Sequence, residues 1–222
     1  MARLFNDAAL DRLVYTGAAA VTGVPLTMAC WFYCDDATQQ LALVSIGDTA
    51  GGDNWIVLRV NGEDVGDPVQ AAVANVSGAV ASSSTGYSVN TWHHAAATFT
   101  AVDNRAAYID GGSKGTDTTS ITPAGLDATG IGVRVKSSND THFSGRIAEA
   151  AIWNVALSDA EVAALAKGFS PTLMRPDTLV GYWPLFGNDA SELDRWENRF
   201  DMTVTGATKA DHPRIYYPHA IP

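Results

Sequence analysis

Cysteine is scarce in this chain: 222 residues carry only two, Cys30 and Cys34. Residues four apart on a strand lie about 13 Å apart at their Cα atoms, beyond the roughly 7 Å that a disulfide can bridge, so the sequence predicts two free thiols. A C-x3-C pair with no further Cys or His close by is also a poor zinc site. Free thiols point to folding in a reducing cytosol. Long apolar runs are missing as well, since no stretch approaches the roughly 18 residues that a spanning helix needs. The opening run MARLFNDAAL is interrupted by Arg3, Asn6 and Asp7, so neither a signal peptide nor a membrane anchor is expected. Basic residues are few: 14 Lys and Arg stand against 24 Asp and Glu, a net charge of -10 that repels phosphate backbones and anionic lipid. Nucleic acid and membrane insertion are therefore excluded as expectations. No G-x-x-x-x-G-K-[ST] loop and no Ser/His/Asp arrangement can be singled out.

What the chain does have is apolar content, 46% against 17% charged residues, enough for a sizeable core. Short segments rich in Val, Ile, Thr, Trp and Tyr alternate with Gly, Asn and Asp clusters, which is the pattern of an all-β protein. Strands are predicted over residues 12–15, 26–33, 42–46, 54–60, 69–76, 93–100, 105–109, 131–135, 147–153, 180–184 and 202–205. Turns fall at 48–54, at Asn61-Gly62 and at Asp110-Gly111-Gly112. Only one helix is credible, over 158–166, where Ser158 and Glu161 form a capping box and Gly168 ends the segment. A parallel α/β fold needs a helix between successive strands and is excluded. Strands at this spacing make two packed sheets, with Trp92, Phe99, Tyr108, Trp153 and Trp183 as core candidates.

The runs PLTMACWFYCDD, TWHHAAATFTAVDNRAAYIDGG and FSGRIAEAAIWNVALSDAEVAALAKG together resemble the laminin-G-like branch of the concanavalin A-like lectin/glucanase superfamily. The most specific piece is the G-x-I-x-E strand that leads into I-W-N-x-A-L-S and a capped helix. The resemblance covers most of 5–168, and LVGYWPLFGNDA with NRFDMTVTGAT is similar to later strands of the same family. It implies a jelly-roll sandwich of two curved antiparallel sheets with one short helix, spanning 1–206 and followed by an extended Pro- and Tyr-containing tail, 207–222. Function does not follow from that fold.

Glycosidases need two carboxylates flanking the scissile bond, and an E-x-D-x-x-E strand would supply them. Here Glu149 stands alone, with Ala148 at a position often acidic in relatives, so no enzyme is expected and Glu149 reads as a loop anchor. His93 and His94 are adjacent on a strand and point to opposite faces, which suits sheet structure better than a metal site. Asp48, Asp53 and Asn54 offer hard oxygens from one Gly-containing loop, a candidate calcium site of the kind laminin-G relatives carry at a sandwich edge. Trp55, next to that loop, is the candidate for stacking on a sugar, with Asn54 beside it. The tail ADHPRIYYPHAIP is expected to be extended, and Ile215, Tyr216, Tyr217 and Ile221 make it a candidate partner-binding segment.

The expected function is a non-enzymatic structural or adhesion subunit of a bacteriophage virion, such as a head decoration, fibre or adhesin protein. The run VTGVPLTMACWF near the start, with YWPLFG and TVTGATKADHP near the end, also resembles phage and metagenomic laminin-G-like proteins. Such a subunit is made in the host cytoplasm and displayed on the virion surface. Its partners are other virion proteins or itself, as a homo-oligomer, and a host-surface glycan bound weakly. The alternative is a calcium-assisted carbohydrate-binding module of a cellular protein.

Overall fold

Period-two alternation sets the architecture. The structure, a computed structural model, describes residues 1–187 and 189–217. The first strands are β1 (Ala2–Phe5), β2 (Arg12–Tyr15), β3 (Leu26–Cys34), β4 (Gln40–Gly47), β5 (Trp55–Asn61) and β6 (Pro68–Ala74). Next come β7 (Gly78–Gly86), β8 (Trp92–Ala101), β9 (Asn104–Ile109), β10 (Gly112–Asp117), β11 (Ala128–Ile131) and β12 (Gly145–Trp153). The helix α1 (Asp159–Ala166) precedes β13 (Leu179–Trp183), β14 (Ser191–Glu192), β15 (Met202–Thr205) and β16 (Thr208–Ala210). No helix among the described residues is long and apolar enough to cross a membrane.

Two antiparallel eight-stranded sheets result, the jelly-roll sandwich the sequence led us to expect. The first runs β10-β9-β8-β3-β12-β1-β16, with β13 also on β12; the second runs β14-β15-β2-β11-β4-β5-β6-β7. Alternate residues of each strand meet between the sheets: Met28, Cys30 and Phe32 of β3 face Ile56, Leu58 and Val60 of β5 in one continuous core. Both thiols are free and buried there, and burial pushes the Cys34 thiol up to about 12. Phe99, Tyr108, Trp153 and Trp183 are buried, whereas Trp92 is half-buried against Tyr33 on the outer face of the first sheet.

That outer face is sealed by α1. Ser158 accepts from the Glu161 N–H while the Glu161 carboxylate accepts from the Ser158 N–H, which satisfies two otherwise orphaned donors at the helix start. Val162 and Leu165 then pack on Ala96, Ala106, Tyr108 and Trp153, each burial contributing roughly 1.5–3 kcal/mol.

Three expectations need correction. The strand predicted over 131–135 is instead β11, which ends at Ile131 because Gly132 turns with φ of 73° and a Cβ there would strike the Phe5 ring. The chain after it leaves the sheet and crosses the outer face of β4. Strands β1, β7, β10, β14 and β16 were not anticipated; most are rich in Gly, Ser, Thr or Ala and owe their conformation to a paired neighbour. The sandwich also runs past residue 206: Thr208–Ala210 pairs with Ala2–Leu4, so the tail begins as a strand of the first sheet.

Candidate functional site

The outer face of the second sheet is built differently from that of the first. Residues 133–136 lie over β4 and β11, where Ser45 donates to the Val133 carbonyl at 2.7 Å and accepts from the Val135 N–H at 3.1 Å. Gly47 and Gly130 allow this approach, since a Cβ on either would collide with Val135. The strands β5, β6 and β7 beyond this cover form a trough. Its floor is Val57 and Ala72, which pack with Trp55, Ala42 and Ala74.

Strand register places Arg59 directly opposite Gln70, and both side chains rise on this face. Arg59 donates to Gln70 Oε1 at 2.8 Å and to Gln40 Oε1 at 2.6 Å. Gln70 donates in turn to Asp64 at 2.7 Å and Ser82 at 3.0 Å, and Gln40 donates to Glu63 at 2.8 Å. Burial, joined by the nearby Arg134 charge, lowers the Arg59 guanidinium to about 10. At the other end of the trough Arg134 holds Asp140 through two hydrogen bonds of 2.7 Å and stacks on the Trp55 ring at 4.6 Å. Lys136 bridges Asp140 at 2.9 Å and Asp53 at 3.3 Å. Burial raises the Asp140 carboxyl, but hydrogen bonds from Arg134 and Lys136 outweigh it and hold the group below its usual range. A cleft of about 270 Å³ opens between Asp53, Trp55, Asn75, Ser77, Arg134 and Lys136. Arg134 and Lys136 line it beside Asp53 and are both paired with Asp140, so it offers fixed donors and acceptors without a strong field of one sign.

Of the residues expected to act, Asp53 and Trp55 line this cleft. Trp55 is not a free platform, because it is 9% exposed and Arg134 lies over its ring. The proposed calcium ligands do not converge on one point. Asp48 accepts from the Ala50 and Gly51 N–H groups at 2.8 and 3.3 Å, Asp53 faces Lys136, and Asn54 accepts from the Ala124 N–H at 3.0 Å. A calcium ion takes six to eight oxygens around one centre, and these three side chains as placed do not fit it. Among the described residues no cluster of three or more His, Cys, Asp or Glu could hold a metal ion. Arg59, Gln70, Arg134 and Lys136 were missed, while in the sequence Asp140 reads with Asn139 as a weaker calcium candidate and a hairpin turn. A signal for the first two existed: each is polar within an otherwise apolar strand, WIVLRVN and PVQAAVA.

Glu149 anchors the tail. An irregularity in β12 between Ala148 and Ala151, with Glu149 at φ of 54°, turns its side chain to the outer face. Buried there, its carboxylate accepts from Tyr182 at 2.6 Å and Tyr217 at 2.7 Å and faces His212 Nε2 at 3.0 Å. Burial and the Glu149 charge both push the Tyr182 and Tyr217 hydroxyls well above the usual phenol range. Tyr216 exchanges backbone hydrogen bonds with Gly168 and Ser170 at 2.7 and 3.1 Å. Through Tyr217 the tail is thus a strap on its own sandwich, with Ile215 half-buried and the Tyr216 and Tyr217 rings still partly open to solvent. Ile221 lies outside the described residues.

Residues 9–163 match the family model described as the concanavalin A-like lectin/glucanases superfamily, and the chain belongs to that family. Among solved structures it resembles a Bacteroides ovatus protein of proposed carbohydrate-binding function, with a TM-score of 0.64 and 18% identity over 97% of this chain. The chain spans 61% of that protein. It is similar to the CBM40 of a Ruminococcus gnavus sialidase bound to α2,3 sialyllactose (TM-score 0.55, 14% identity, 69% of this chain and 93% of that one). It is also similar to tailspike protein 2 of an Escherichia coli bacteriophage (TM-score 0.58, 15% identity, 82% of this chain and 26% of that one). No curated protein matches the sequence.

Proposed function

We propose that this chain binds a neutral glycan in the cleft beside Trp55 without cleaving it. The observation that carries the reading is the group of Arg134, Lys136, Asp140 and Asp53, held in place by mutual hydrogen bonds and ion pairs, of which Arg134, Lys136 and Asp53 line the cleft. Sugar hydroxyls need convergent donors and acceptors, and balanced charge favours an uncharged polyol over an anionic one. Sugar binding by a solved structure of similar fold supports glycan binding as such, whereas the neutral charge of the ligand rests on the cleft alone, since sialyllactose is anionic. A non-catalytic role is supported by Glu149, which is occupied by two tyrosines and His212, and by Asp140, which is clamped by Arg134. The test is a glycan array that includes bacterial surface polysaccharides, probed with the full chain, with Arg134→Ala and with chelator. We expect binding to a neutral glycan that Arg134→Ala weakens at least about tenfold, the loss of one charge-assisted contact, and that chelator leaves intact. Silence across the array, or binding indifferent to Arg134→Ala, sinks the assignment; dependence on calcium moves it to the loop at Asp48 and Asp53.

We further propose that the chain is displayed in many copies on a bacteriophage virion, so that avidity offsets a weak single site. The tailspike of similar fold supports this, as does an acidic chain with two buried free thiols, which suits assembly in a reducing host cytoplasm. The exposed rings of Phe169, Tyr216 and Tyr217 are the surface offered to another virion protein or to a second copy. Antibody against this chain should label the surface of purified particles. Particles that carry none of it overturn the placement.

A further inference from the structure

His212 lies between the strap and the buried carboxylate of Glu149, and both of its ring nitrogens face oxygens that act as acceptors. Nδ1 is 2.5 Å from the Pro213 carbonyl oxygen, and Nε2 is 3.0 Å from Glu149 Oε1. A neutral imidazole carries a single proton and would turn a bare lone pair toward one of these two oxygens. The closed strap therefore holds one proton more than a neutral histidine and a carboxylate hold together. Tyr182 and Tyr217 do not supply it, because each already donates its own hydroxyl proton to Glu149, at 2.6 and 2.7 Å. The contact is nearly dry: the Glu149 side chain is 1% exposed and that of His212 12%, with the Phe186 ring packed against His212 and Tyr217. An unpaired carboxylate is costly in such a place, and among the described residues His212 is the one ion-pair partner of Glu149.

We propose that His212 is a proton-operated latch: the strap, residues 211–217, closes on the sandwich with His212 protonated and is released when that proton is lost. On release the proton passes to solvent, Tyr216 gives up its backbone bonds to Gly168 and Ser170, and the Tyr217 hydroxyl leaves Glu149. The closed state binds one proton more than the open one, so closure is favoured at low pH and weakens as pH rises, by at most about tenfold per pH unit. Burial, and after it the Glu149 charge, pushes the Tyr182 and Tyr217 hydroxyls well above the usual phenol range, so neither gives up its proton first. Two other charged groups lie near. Asp211, 94% exposed, is 3.8 Å from Arg146 of β12, and the Met1 amino group, lowered by burial, feels the Glu149 charge. The latch depends on neither the glycan reading nor the virion reading.

Amide hydrogen exchange on the full chain tests it, read as protection of the Tyr216 and Ser170 N–H groups against that of the β3–β12 ladder. From about pH 6 to about pH 9, across and beyond the range in which histidine usually titrates, strap protection should fall by up to about tenfold per pH unit while the ladder holds. The His212 ring nitrogen NMR shifts should pass from the doubly protonated to the neutral form over the same range. In His212→Gln strap protection should be low and independent of pH. Tyr217→Phe should lower it about fivefold at every pH, the loss of one net hydrogen bond, and leave the slope unchanged. Protection flat with pH in the full chain, a ring that loses its proton with the strap still protected, or a slope that survives in His212→Gln overturns the proposal; the last would assign the proton to the Met1 amine.

Discussion

The outer faces of the two sheets share a backbone plan and differ in what covers them. On the first sheet α1, Trp153 and Tyr182 close an apolar layer over Ala29, Ala96 and Ala151, and Glu149 beside it anchors the tail. On the second sheet the cover is a single extended segment, 133–136, and the strands beyond it carry Arg59, Gln70 and Ser82 instead of apolar residues. A face made of alanines under a helix has no spare hydrogen-bonding capacity. One made of satisfied polar groups keeps its shape and can exchange partners with a ligand. The two sides of one core thus differ in polar content: apolar packing on the first face, satisfied polar groups on the second.

Substitutions on the two faces should separate accordingly. The largest effect belongs to Trp153→Ala, which removes a fully buried indole and its 2.7 Å bond to the Met174 carbonyl. Denaturant titration should show a loss of about 4 kcal/mol, with glycan affinity per folded molecule unchanged; weakened binding would mean that the faces are coupled. Next comes His94, buried on the first face against Trp31, where desolvation lowers it to about 4 despite the opposing Asp110 charge. Between pH 6.5 and 4 the unfolded chain binds the proton and the folded one does not, so stability falls as pH falls through that window. The drop should be on the order of 3 kcal/mol, and His94→Phe should flatten the His94 share of the slope. An unaltered slope would show that other groups set the acid limit. Arg134→Ala, on the second face, should reverse the pattern: about a tenfold loss of glycan affinity with only about 1 kcal/mol of stability. The smallest expected change is Ser158→Ala at the helix cap, about 1 kcal/mol by thermal unfolding with binding untouched. A larger loss would reveal that α1 clamps more than its own face.

The helix on the first face was legible before the structure, through the capping box at Ser158 and Glu161; the polar groups of the second face were not. What stayed hidden has physical causes. Strand β7, GAVASSSTG, has little intrinsic preference for extension and becomes a strand because β6 supplies its hydrogen bonds. The segment at 131–135 reads as a strand because Val and Ile alternate there, and one positive φ at Gly132 takes it off the sheet and onto the face. Arg134 and Asp140 meet Trp55 only as a result of that departure. Asp53 and Trp55 could be picked out because they adjoin a Gly-rich turn. Their partners come from a stretch more than seventy residues away, and nothing in local spacing joins the two.

The pairing of β1 with β16 sets how the molecule bears tension. Ala2 lies opposite Ala210 and Leu4 opposite Thr208, so a pull applied between residues 2 and 210 enters an antiparallel ladder at one end. Its hydrogen bonds then break in succession, as a zipper opens, rather than all at once in shear. Under that load strand β16 peels from β1 first, while the trough on the opposite sheet keeps its geometry.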